Sequence, residues 1–254
     1  MRYIERSNKK SKPKTLRLIG EQTPFAIRES FNQLRTNLLY TTNDNDGCPI
    51  YAITSAEMSV GKSTISSNIA VSFTNLGKKV LLIDADMRRP AQHFTFGYDK
   101  KQPGLSDLLA GVKTNDEECM NSPMRGLTVI TSGIIPPNPA ELMHSKKFGE
   151  YLEKWKNEYD IIFIDCPPAG VVSDPIALAS LINGYIIVAM ANRSDSNRIN
   201  ATIKLLKMSK AKITGLVLNA TSLRGEGSKY SKHYGYKHGY YKYNYYYGYK
   251  NGND

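Results

Sequence analysis

Short apolar runs recur along the chain and are separated by longer stretches of mixed polarity. They are Ile50–Thr54, Val80–Ile83, Leu127–Ile130, Ile161–Ile164, Tyr185–Met190 and Ile213–Leu218. Each run is almost continuously apolar, which is typical of a strand covered on both faces, and the segments between the runs are long enough for crossover helices. The pattern therefore predicts an α/β domain with a doubly wound, mostly parallel sheet and helices on both faces.

The ends of the chain differ in composition from its middle. Residues 1–23 are rich in Lys and Ser and predict a basic, flexible N-terminus, whereas residues 24–40 carry apolar residues at helical spacing and predict an amphipathic helix. Residues 24–223 form the predicted folded domain. Residues 224–254 are rich in Tyr and Lys, and from residue 229 onward they contain no aliphatic side chain. Such a segment buries too little apolar surface to order itself, so we expect a disordered tail.

The net charge of +11 is concentrated in these two ends, which leaves residues 21–223 close to neutral. A neutral body argues against a basic groove for nucleic acid, and no nucleic-acid partner is expected. The three cysteines have neither disulfide nor zinc spacing, which favours a reducing, cytoplasmic compartment. No stretch reaches the roughly 18 apolar residues of a spanning helix, so membrane recruitment would require another protein.

The first apolar run leads into the motif Ser55-Ala56-Glu57-Met58-Ser59-Val60-Gly61-Lys62-Ser63-Thr64, and helical periodicity follows from Ile65 to Gly77. A strand, a tight loop and a helix N-terminus in this order direct backbone N–H groups and the positive end of the helix dipole toward an anion. We expect a phosphate-binding loop with an exposed Lys62 on the β- and γ-phosphates of ATP. The Ser63 hydroxyl would join the Mg²⁺ shell.

Carboxylates follow two of the other predicted strands. Asp84 and Asp86 come directly after Val80–Ile83, and Asp165 follows Ile161–Ile164. Because the carboxyl ends of parallel strands face one crevice, we expect these side chains beside the phosphate loop. A single Asp after a strand is more often a cap or turn residue. The three elements together, in this order, favour a Mg-ATP site.

These three segments resemble the Walker A, Walker A′ and Walker B motifs of the bacterial tyrosine kinases that control capsule and exopolysaccharide synthesis. The resemblance rests on Asp84–Arg88 (DADMR), Asp165–Pro168 (DCPP) and the Tyr-rich tail, and it extends from about residue 24 to the end of the chain. It implies a P-loop NTPase fold of the MinD/ParA type. It also implies a protein-tyrosine kinase that uses ATP and Mg²⁺ and phosphorylates its own C-terminal tyrosines.

The resemblance also implies roles for individual residues. The nucleotide would be bound by Ser59, Val60, Gly61, Lys62, Ser63, Thr64 and Asn219, and the metal by Ser63, Asp86 and Asp165. Catalysis would depend on Lys62, Asp84 and Asp86. Asp84 is the candidate to orient or deprotonate the incoming phenol, and either aspartate is alternatively a metal-shell residue only. Asn219 either contacts the adenine or serves as a turn residue.

The tyrosine cluster supplies the implied phosphoacceptors, which are Tyr230, Tyr234, Tyr236, Tyr240, Tyr241, Tyr243, Tyr245, Tyr246, Tyr247 and Tyr249. Family members assemble into rings through the pattern Glu-x-x-Arg-x-x-Arg. Here it is present as Glu29 and Arg35 with Asn32 in place of the middle Arg. The resemblance thus implies a homo-oligomeric ring in which one subunit phosphorylates the tail of another.

Partners are implied by the same resemblance. Family members of this length are separate from their transmembrane activator, a polysaccharide co-polymerase, and are opposed by a cognate tyrosine phosphatase. We therefore expect a cytoplasmic protein that such an activator recruits to the inner face of the membrane.

Three other interpretations compete with a kinase. A MinD/ParA-like ATPase shares the fold, but its signature Lys is replaced here by Glu57. An ATP-binding regulator without catalysis is suggested by Met58-Ser59-Val60, where the family usually has Pro-Gly and a small or acidic residue. A single-strand nucleic-acid binder would use the Lys/Tyr tail, although the neutral body offers no supporting groove.

Overall fold

The computed structural model describes residues 18–41 and 47–221. The chain divides into a compact unit, Met1–Thr221, and a second unit, Ser222–Asp254, which lies wholly outside the described residues. The predictions for the N-terminal 17 residues, for the tail and for all ten acceptor tyrosines therefore fall outside the described part.

The described residues form a seven-stranded sheet in the order β3-β4-β2-β5-β1-β6-β7. The strands are β1 Ile50–Ser55, β2 Val80–Asp84, β3 Met120–Met124, β4 Leu127–Ile130, β5 Ile161–Asp165, β6 Gly184–Met190 and β7 Ile213–Asn219. All neighbours pair in parallel except β3 and β4, which are antiparallel. The predicted mostly parallel sheet is confirmed, and each predicted strand lies within one residue of the observed bounds.

Strand β3 is the element that the sequence pattern did not predict. Its residues, Met-Asn-Ser-Pro-Met, contain no apolar run, and none of them is fully buried. It pairs with β4 through an irregular register at the edge of the sheet. A proline is tolerated at such an edge because its missing N–H is not needed for a second neighbour.

Helices cover both faces of the sheet. The α-helices are α1 Phe25–Leu39, α2 Lys62–Thr74, α3 Gln92–Phe96, α4 Leu105–Leu109, α5 Pro139–Met143, α6 Lys146–Lys156 and α7 Ser196–Met208, and two 3₁₀ turns span Asp116–Cys119 and Asp174–Leu178. Within residues 18–41 and 47–221, none of these helices is both long and apolar enough to cross a membrane. The fold is thus the doubly wound arrangement that the alternating pattern predicts.

Alternate residues of the central strands belong to two separate cores. In β1, Tyr51 and Ile53 pack toward α1 and α2, while Ile50 and Ala52 pack toward α4, α6 and α7. Strand β2 repeats the pattern, so both faces of these strands are apolar. This two-sided burial explains why the strands appear in the sequence as continuous apolar runs.

Helix α1 packs mainly against α2, and its Leu38 also joins the core that contains Tyr51 and Ile53 of β1. Leu38 is its one fully buried residue, and Phe25 at its start is 72% exposed. Arg35 Nη1 donates a hydrogen bond of 2.6 Å to the Ser72 carbonyl of α2. The predicted amphipathic helix is present, with apolar side chains left on its outer surface.

Candidate nucleotide site

The loop between β1 and α2 is shaped by two residues with left-handed backbone conformation. Ser59 has φ of 60° and Gly61 has φ of 91°. Helix α2 begins at Lys62, three residues earlier than the periodicity indicated. Because the first turn of a helix leaves its N–H groups without helical partners, the start of α2 presents donors at the mouth of the loop.

Asn219, the last residue of β7, closes the loop from the side. Its Nδ2 donates a hydrogen bond of 3.0 Å to the Val60 carbonyl, and its Oδ1 accepts one of 2.8 Å from the Ala220 N–H. A Cβ atom on Gly61 would overlap with Asn219 Nδ2. Asn219 therefore supports the phosphate loop directly, and its contact with adenine stays a prediction.

Lys62 is not the exposed loop residue that the sequence suggested. It is only 7% exposed, and its Nζ lies 4.0 Å from Asp86 Oδ2. The expectation of an exposed side chain was wrong because Lys62 belongs to the first turn of α2 and lies against Asp86, which follows β2. A buried ammonium group beside one carboxylate is suited to receive a second anion.

Asp84 and Asp165 lie side by side, since they are register partners in the neighbouring strands β2 and β5. Asp84 is fully buried, and its carboxylate accepts backbone hydrogen bonds from Asp86, Ala91 and Gln92 at 2.9–3.2 Å. Burial raises the pKa of Asp84 well above its usual range, and the adjacent Asp165 raises it further. Asp84 therefore holds the segment that follows β2 against the sheet.

Asp165 is also fully buried, and its Oδ2 accepts a hydrogen bond of 2.8 Å from Gln92 Nε2. Burial raises the pKa of Asp165, while the charge of Lys62 opposes the increase. The nearby hydroxyls of Ser63 and Ser66 also lower the pKa of Asp165. Neither hydroxyl is within hydrogen-bond geometry of Asp165 Oδ1, and this oxygen has no hydrogen-bond partner among the described residues.

A cavity of about 350 Å³ opens at this edge of the sheet. Its lining residues are Met58, Ser59, Gly61, Lys62, Ser63, Thr64, Asp86, Arg88, Arg89, Ala91, Pro167, Pro168, Val171 and Val172. Six of the predicted site residues therefore line one cavity. Val60, Asp84, Asp165 and Asn219 are outside this lining and support it from behind or from the side.

The residues present fit a magnesium nucleotide. Lys62, Arg88 and Arg89 bring positive charge to the cavity, and the start of α2 adds backbone donors. Among the described residues, Asp165 Oδ1 is a buried acceptor without a hydrogen-bond partner, which leaves an oxygen behind the cavity for interaction with a hydrated cation. No group of three or more His, Cys, Asp or Glu among residues 18–41 and 47–221 is arranged to hold a metal alone. Mg²⁺ characteristically shares its shell between one or two carboxylates, water and phosphate.

Sequence reasoning missed several residues that build the site. Gln92 links the two buried aspartates, and Arg88 forms two hydrogen bonds of 2.7 and 3.0 Å with Asp174. Thr54 donates to the Pro167 carbonyl at 2.7 Å and accepts from Ala169 at 3.0 Å. Arg88 lies in the Asp84–Arg88 motif but had no role assigned, and Asp174 had no role assigned either. Gln92 had no local signal, since a single Gln after a turn has no characteristic spacing.

Comparison with known proteins identifies the relatives of this arrangement. A family model described as an AAA domain matches residues 49–214. The chain is 33% identical over 217 residues to the putative tyrosine-protein kinase CapB of Staphylococcus aureus, covering 85% of this chain and 94% of CapB. It is 36% identical over 216 residues to the putative tyrosine-protein kinase EpsB of Ralstonia nicotianae, covering 84% of this chain but only 28% of the length of EpsB.

Solved structures agree with these relatives. The kinase domain of the Escherichia coli tyrosine kinase ETK superposes with a TM-score of 0.74 at 28% identity, covering 88% of each chain. The chimerical protein CapA2B2 gives a TM-score of 0.71 at 31% identity, covering 78% of this chain and 85% of that chain. The septum site-determining protein MinD of Pyrococcus horikoshii, solved with Mg-ADP, shares the fold with a TM-score of 0.57 at 24% identity, covering 67% and 70%.

Proposed function

Because the chain belongs to the bacterial tyrosine-protein kinase family, we propose that it transfers the γ-phosphoryl group of ATP to tyrosine. Its own C-terminal cluster, Tyr230 to Tyr249, is the proposed main acceptor. The observation that carries this proposal is the buried pair formed by Lys62, at the start of α2, and Asp86, just after β2, with Asp165 behind it. This arrangement combines a cation for phosphate with carboxylates for a metal.

Phosphoryl transfer requires positioning and charge stabilisation more than covalent chemistry. Lys62 and the N–H groups at the start of α2 hold the β- and γ-phosphates and stabilise the charge that develops during transfer. Their burial strengthens this effect, because little water competes for the phosphate oxygens. Asn219 keeps the loop in the required shape through Val60.

Mg²⁺ is assigned to the Ser63 hydroxyl, Asp86 and Asp165, either directly or through water. When bound, the ion would supply positive charge that offsets the charge of the phosphates. Burial raises the pKa of Asp86 above its usual range, and the positive charge of Lys62 offsets part of this increase in favour of the ionised carboxylate. Ionised oxygen ligands are those that Mg²⁺ prefers.

The acceptor phenol would enter over the cavity and meet Asp86 before Asp84. Asp86 lines the cavity, whereas Asp84 is fully buried and engaged by three backbone N–H groups. This difference in access favours Asp86 for orienting the phenol. Asp84 as the proton acceptor remains the alternative, and Asp84→Asn and Asp86→Asn variants assayed across pH separate the two roles.

Incubation of the purified chain with Mg-ATP, followed by an anti-phosphotyrosine blot, tests the kinase proposal. The wild type is expected to label its tail, and Lys62→Met is expected to abolish the label. Lys210→Met, at an exposed lysine after α7, is the matched control and should label normally. A wild type that hydrolyses ATP without phosphotyrosine indicates a MinD/ParA-like ATPase, and one that only binds ATP indicates a regulator without catalysis.

The ATPase alternative receives no support from the start of the loop. Glu57 occupies the position of the signature Lys of MinD/ParA proteins, and its carboxylate lies 3.5 Å from Arg198 Nη1 of α7. The negative side chain is therefore engaged within the same chain. This contact leaves the kinase as the function that the site supports best.

Transfer between subunits is the proposed route to the tail, within a ring that uses Glu29 and Arg35. The sequence predicts a flexible tail, and a flexible chain of about 26 residues would reach on the order of 25–30 Å, which is enough to cross a subunit boundary. Mixing inactive Lys62→Met chains with active chains that lack residues 229–254 tests this route. Label on the inactive chain supports transfer in trans, whereas its absence, with active wild type, restricts transfer to one chain.

The proposed setting is capsule or exopolysaccharide synthesis, with a separate membrane activator and an opposing tyrosine phosphatase. The activator would bring the kinase to the inner face of the membrane. A cytoplasmic peptide of such an activator is expected to increase tail phosphorylation. Full activity of the isolated chain at high dilution, unchanged by the peptide, would contradict the need for this partner.

A further inference from the structure

Gln92 is a buried polar residue to which neither the motifs nor the comparisons assign a role. It is the first residue of α3 and is fully buried. Its backbone N–H donates to Asp84 Oδ2 at 2.9 Å, and its side-chain Nε2 donates to Asp165 Oδ2 at 2.8 Å. One residue therefore contacts both of the adjacent strand-end carboxylates.

The same amide also reaches the start of α2. Gln92 Nε2 lies 3.2 Å from the Ser63 carbonyl and 3.3 Å from Ser66 Oγ. The carboxylate of Asp165 and the carbonyl of Ser63 are acceptors, which fixes the amide with its NH₂ group toward them. Gln92 thus joins the segment after β2, the end of β5 and the phosphate loop at one point.

This orientation of the Gln92 amide lowers stability, because it leaves one buried polar atom unpaired. With Nε2 engaged, Gln92 Oε1 is buried without a hydrogen-bond partner in the described part of the chain. An unpaired buried acceptor is unfavourable, and an apolar side chain of the same volume would avoid it. A group retained under such conditions points to a role in the site.

The contact with Asp165 shows what that role is. Gln92 occupies Oδ2, and Oδ1 of the same carboxylate has no hydrogen-bond partner among the described residues. We propose that Gln92 is a positioning residue that fixes the Asp165 carboxylate by Oδ2 and thereby keeps Oδ1 available to the hydrated Mg²⁺ of the bound nucleotide. This inference rests on the proposed function of the site. It assigns to Gln92 the orientation of the carboxylate on which Mg²⁺-dependent nucleotide binding relies.

A general defect of the phosphate loop would weaken nucleotide binding both with and without Mg²⁺. Loss of the Gln92 side chain is expected to weaken only the part of binding that depends on Mg²⁺. Binding of nucleotide without metal depends on Lys62 and on the N–H groups at the start of α2. In that region, Gln92→Met removes contacts with the Ser63 carbonyl and the Ser66 hydroxyl and none with an N–H group. The increase in nucleotide affinity that Mg²⁺ causes depends on Asp165, and the Asp165 carboxylate loses its fixed orientation in the variant. Gln92→Met keeps the volume and removes the amide, whereas Gln92→Asn keeps an amide on a side chain one carbon shorter.

The experiment measures the dissociation constant of a fluorescent ATP analogue, first in EDTA and then across a Mg²⁺ titration, for wild type and both variants. For both variants we expect a dissociation constant in EDTA within about twofold of wild type. The factor by which Mg²⁺ increases the affinity for the ATP analogue should fall about tenfold, which corresponds to about 1.4 kcal/mol. Gln102→Met is the matched control, because Gln102 donates to Thr131 outside the cavity, and it should retain the full enhancement.

Three results would overturn the proposal. An unchanged Mg²⁺ enhancement in both variants would show that Gln92 does not position Asp165. An equal loss in EDTA and in Mg²⁺, or unfolding of both variants in thermal melts, would show a structural role only. Because binding is measured, the result stands whether or not the wild type labels tyrosine, so this proposal and the kinase proposal fail separately.

Discussion

Asn219 lies directly against Gly61, although 158 positions separate them in the chain. Asn219 Nδ2 occupies the space that a Cβ on Gly61 would need, and it donates to the neighbouring Val60 carbonyl. Gly61 also has a φ of 91°, a conformation that other residues rarely adopt. The loop is therefore held in shape by a glycine that fits only because the end of β7 packs on it.

Gly61→Ala should weaken nucleotide binding by about tenfold or more, because left-handed backbone costs a non-glycine residue about 1–2 kcal/mol and the Asn219 contact adds to it. The measurement is a titration with fluorescent ADP. Gly77→Ala is the matched control, since Gly77 has φ of 75° but open space around it. It should lower the melting temperature without changing nucleotide affinity. Similar losses of affinity in both variants would show that the Asn219 contact is unimportant.

Arg88 and Asp174 form a paired contact beside the cavity. Asp174 is 1% exposed, whereas the Arg88 side chain is 43% exposed. Arg88→Ala should lower the free energy of unfolding by about 1–3 kcal/mol, because a buried carboxylate loses its partner. Arg88→Lys should recover only part of this free energy of unfolding, since Lys lacks the planar guanidinium group that donates two hydrogen bonds to one carboxylate. Urea denaturation of Arg88→Ala, Asp174→Asn and the double variant measures the coupling, and strictly additive effects would contradict it.

Acid should loosen the contact between Asp116 and Trp155. Burial favours the protonated form of Asp116, but hydrogen bonds from Lys154 and Trp155 outweigh it, so its pKa lies below the usual range. A lowered pKa contributes stability above the unfolded value of about 3.9, and this stability is lost as pH falls through the folded value.

Trp155 is the single tryptophan of the chain, and its Nε1 donates to Asp116 Oδ2 at 2.7 Å. Its fluorescence should therefore change in a step below about pH 4. Asp116→Asn should remove that step and lower the melting temperature at neutral pH. A step of unchanged midpoint in Asp116→Asn would assign the transition to another group.

Glu29 and Arg35 should respond differently to substitution. Glu29 is exposed and contacts Asn32 of its own helix, whereas Arg35 also joins α1 to α2 through the Ser72 carbonyl. If the proposed ring forms, Glu29→Ala should reduce its mass in light scattering and leave the melting temperature within about 1 °C, since exposed substitutions are usually near neutral. Arg35→Ala should lower both the mass of the proposed ring and the melting temperature. A normal mass in both variants would exclude these residues from the assembly.

The strands and the phosphate loop were predictable because their signals are local. The continuous apolar runs of β1, β2 and β5 reflect burial on both faces, and the glycine before Lys62 and Ser63 marks the end of the loop and the start of a helix. Asp84, Asp86 and Asp165 were placed at one edge because parallel strands end together. Strand β3 was missed because Pro123 and Ser122 give an edge strand no apolar pattern.

The sequence by itself determined the order of the elements and which residue types meet at the carboxyl edge of the sheet. The burial of Lys62, the support of Gly61 by Asn219, the pairing of Arg88 with Asp174 and the bridge from Gln92 to Asp165 were decided by the tertiary structure. The last three contacts join positions 73 to 158 residues apart in the chain. Propensity and periodicity describe neighbours along the chain, whereas these contacts depend on how separate strands and loops pack, so only the folded structure specifies them.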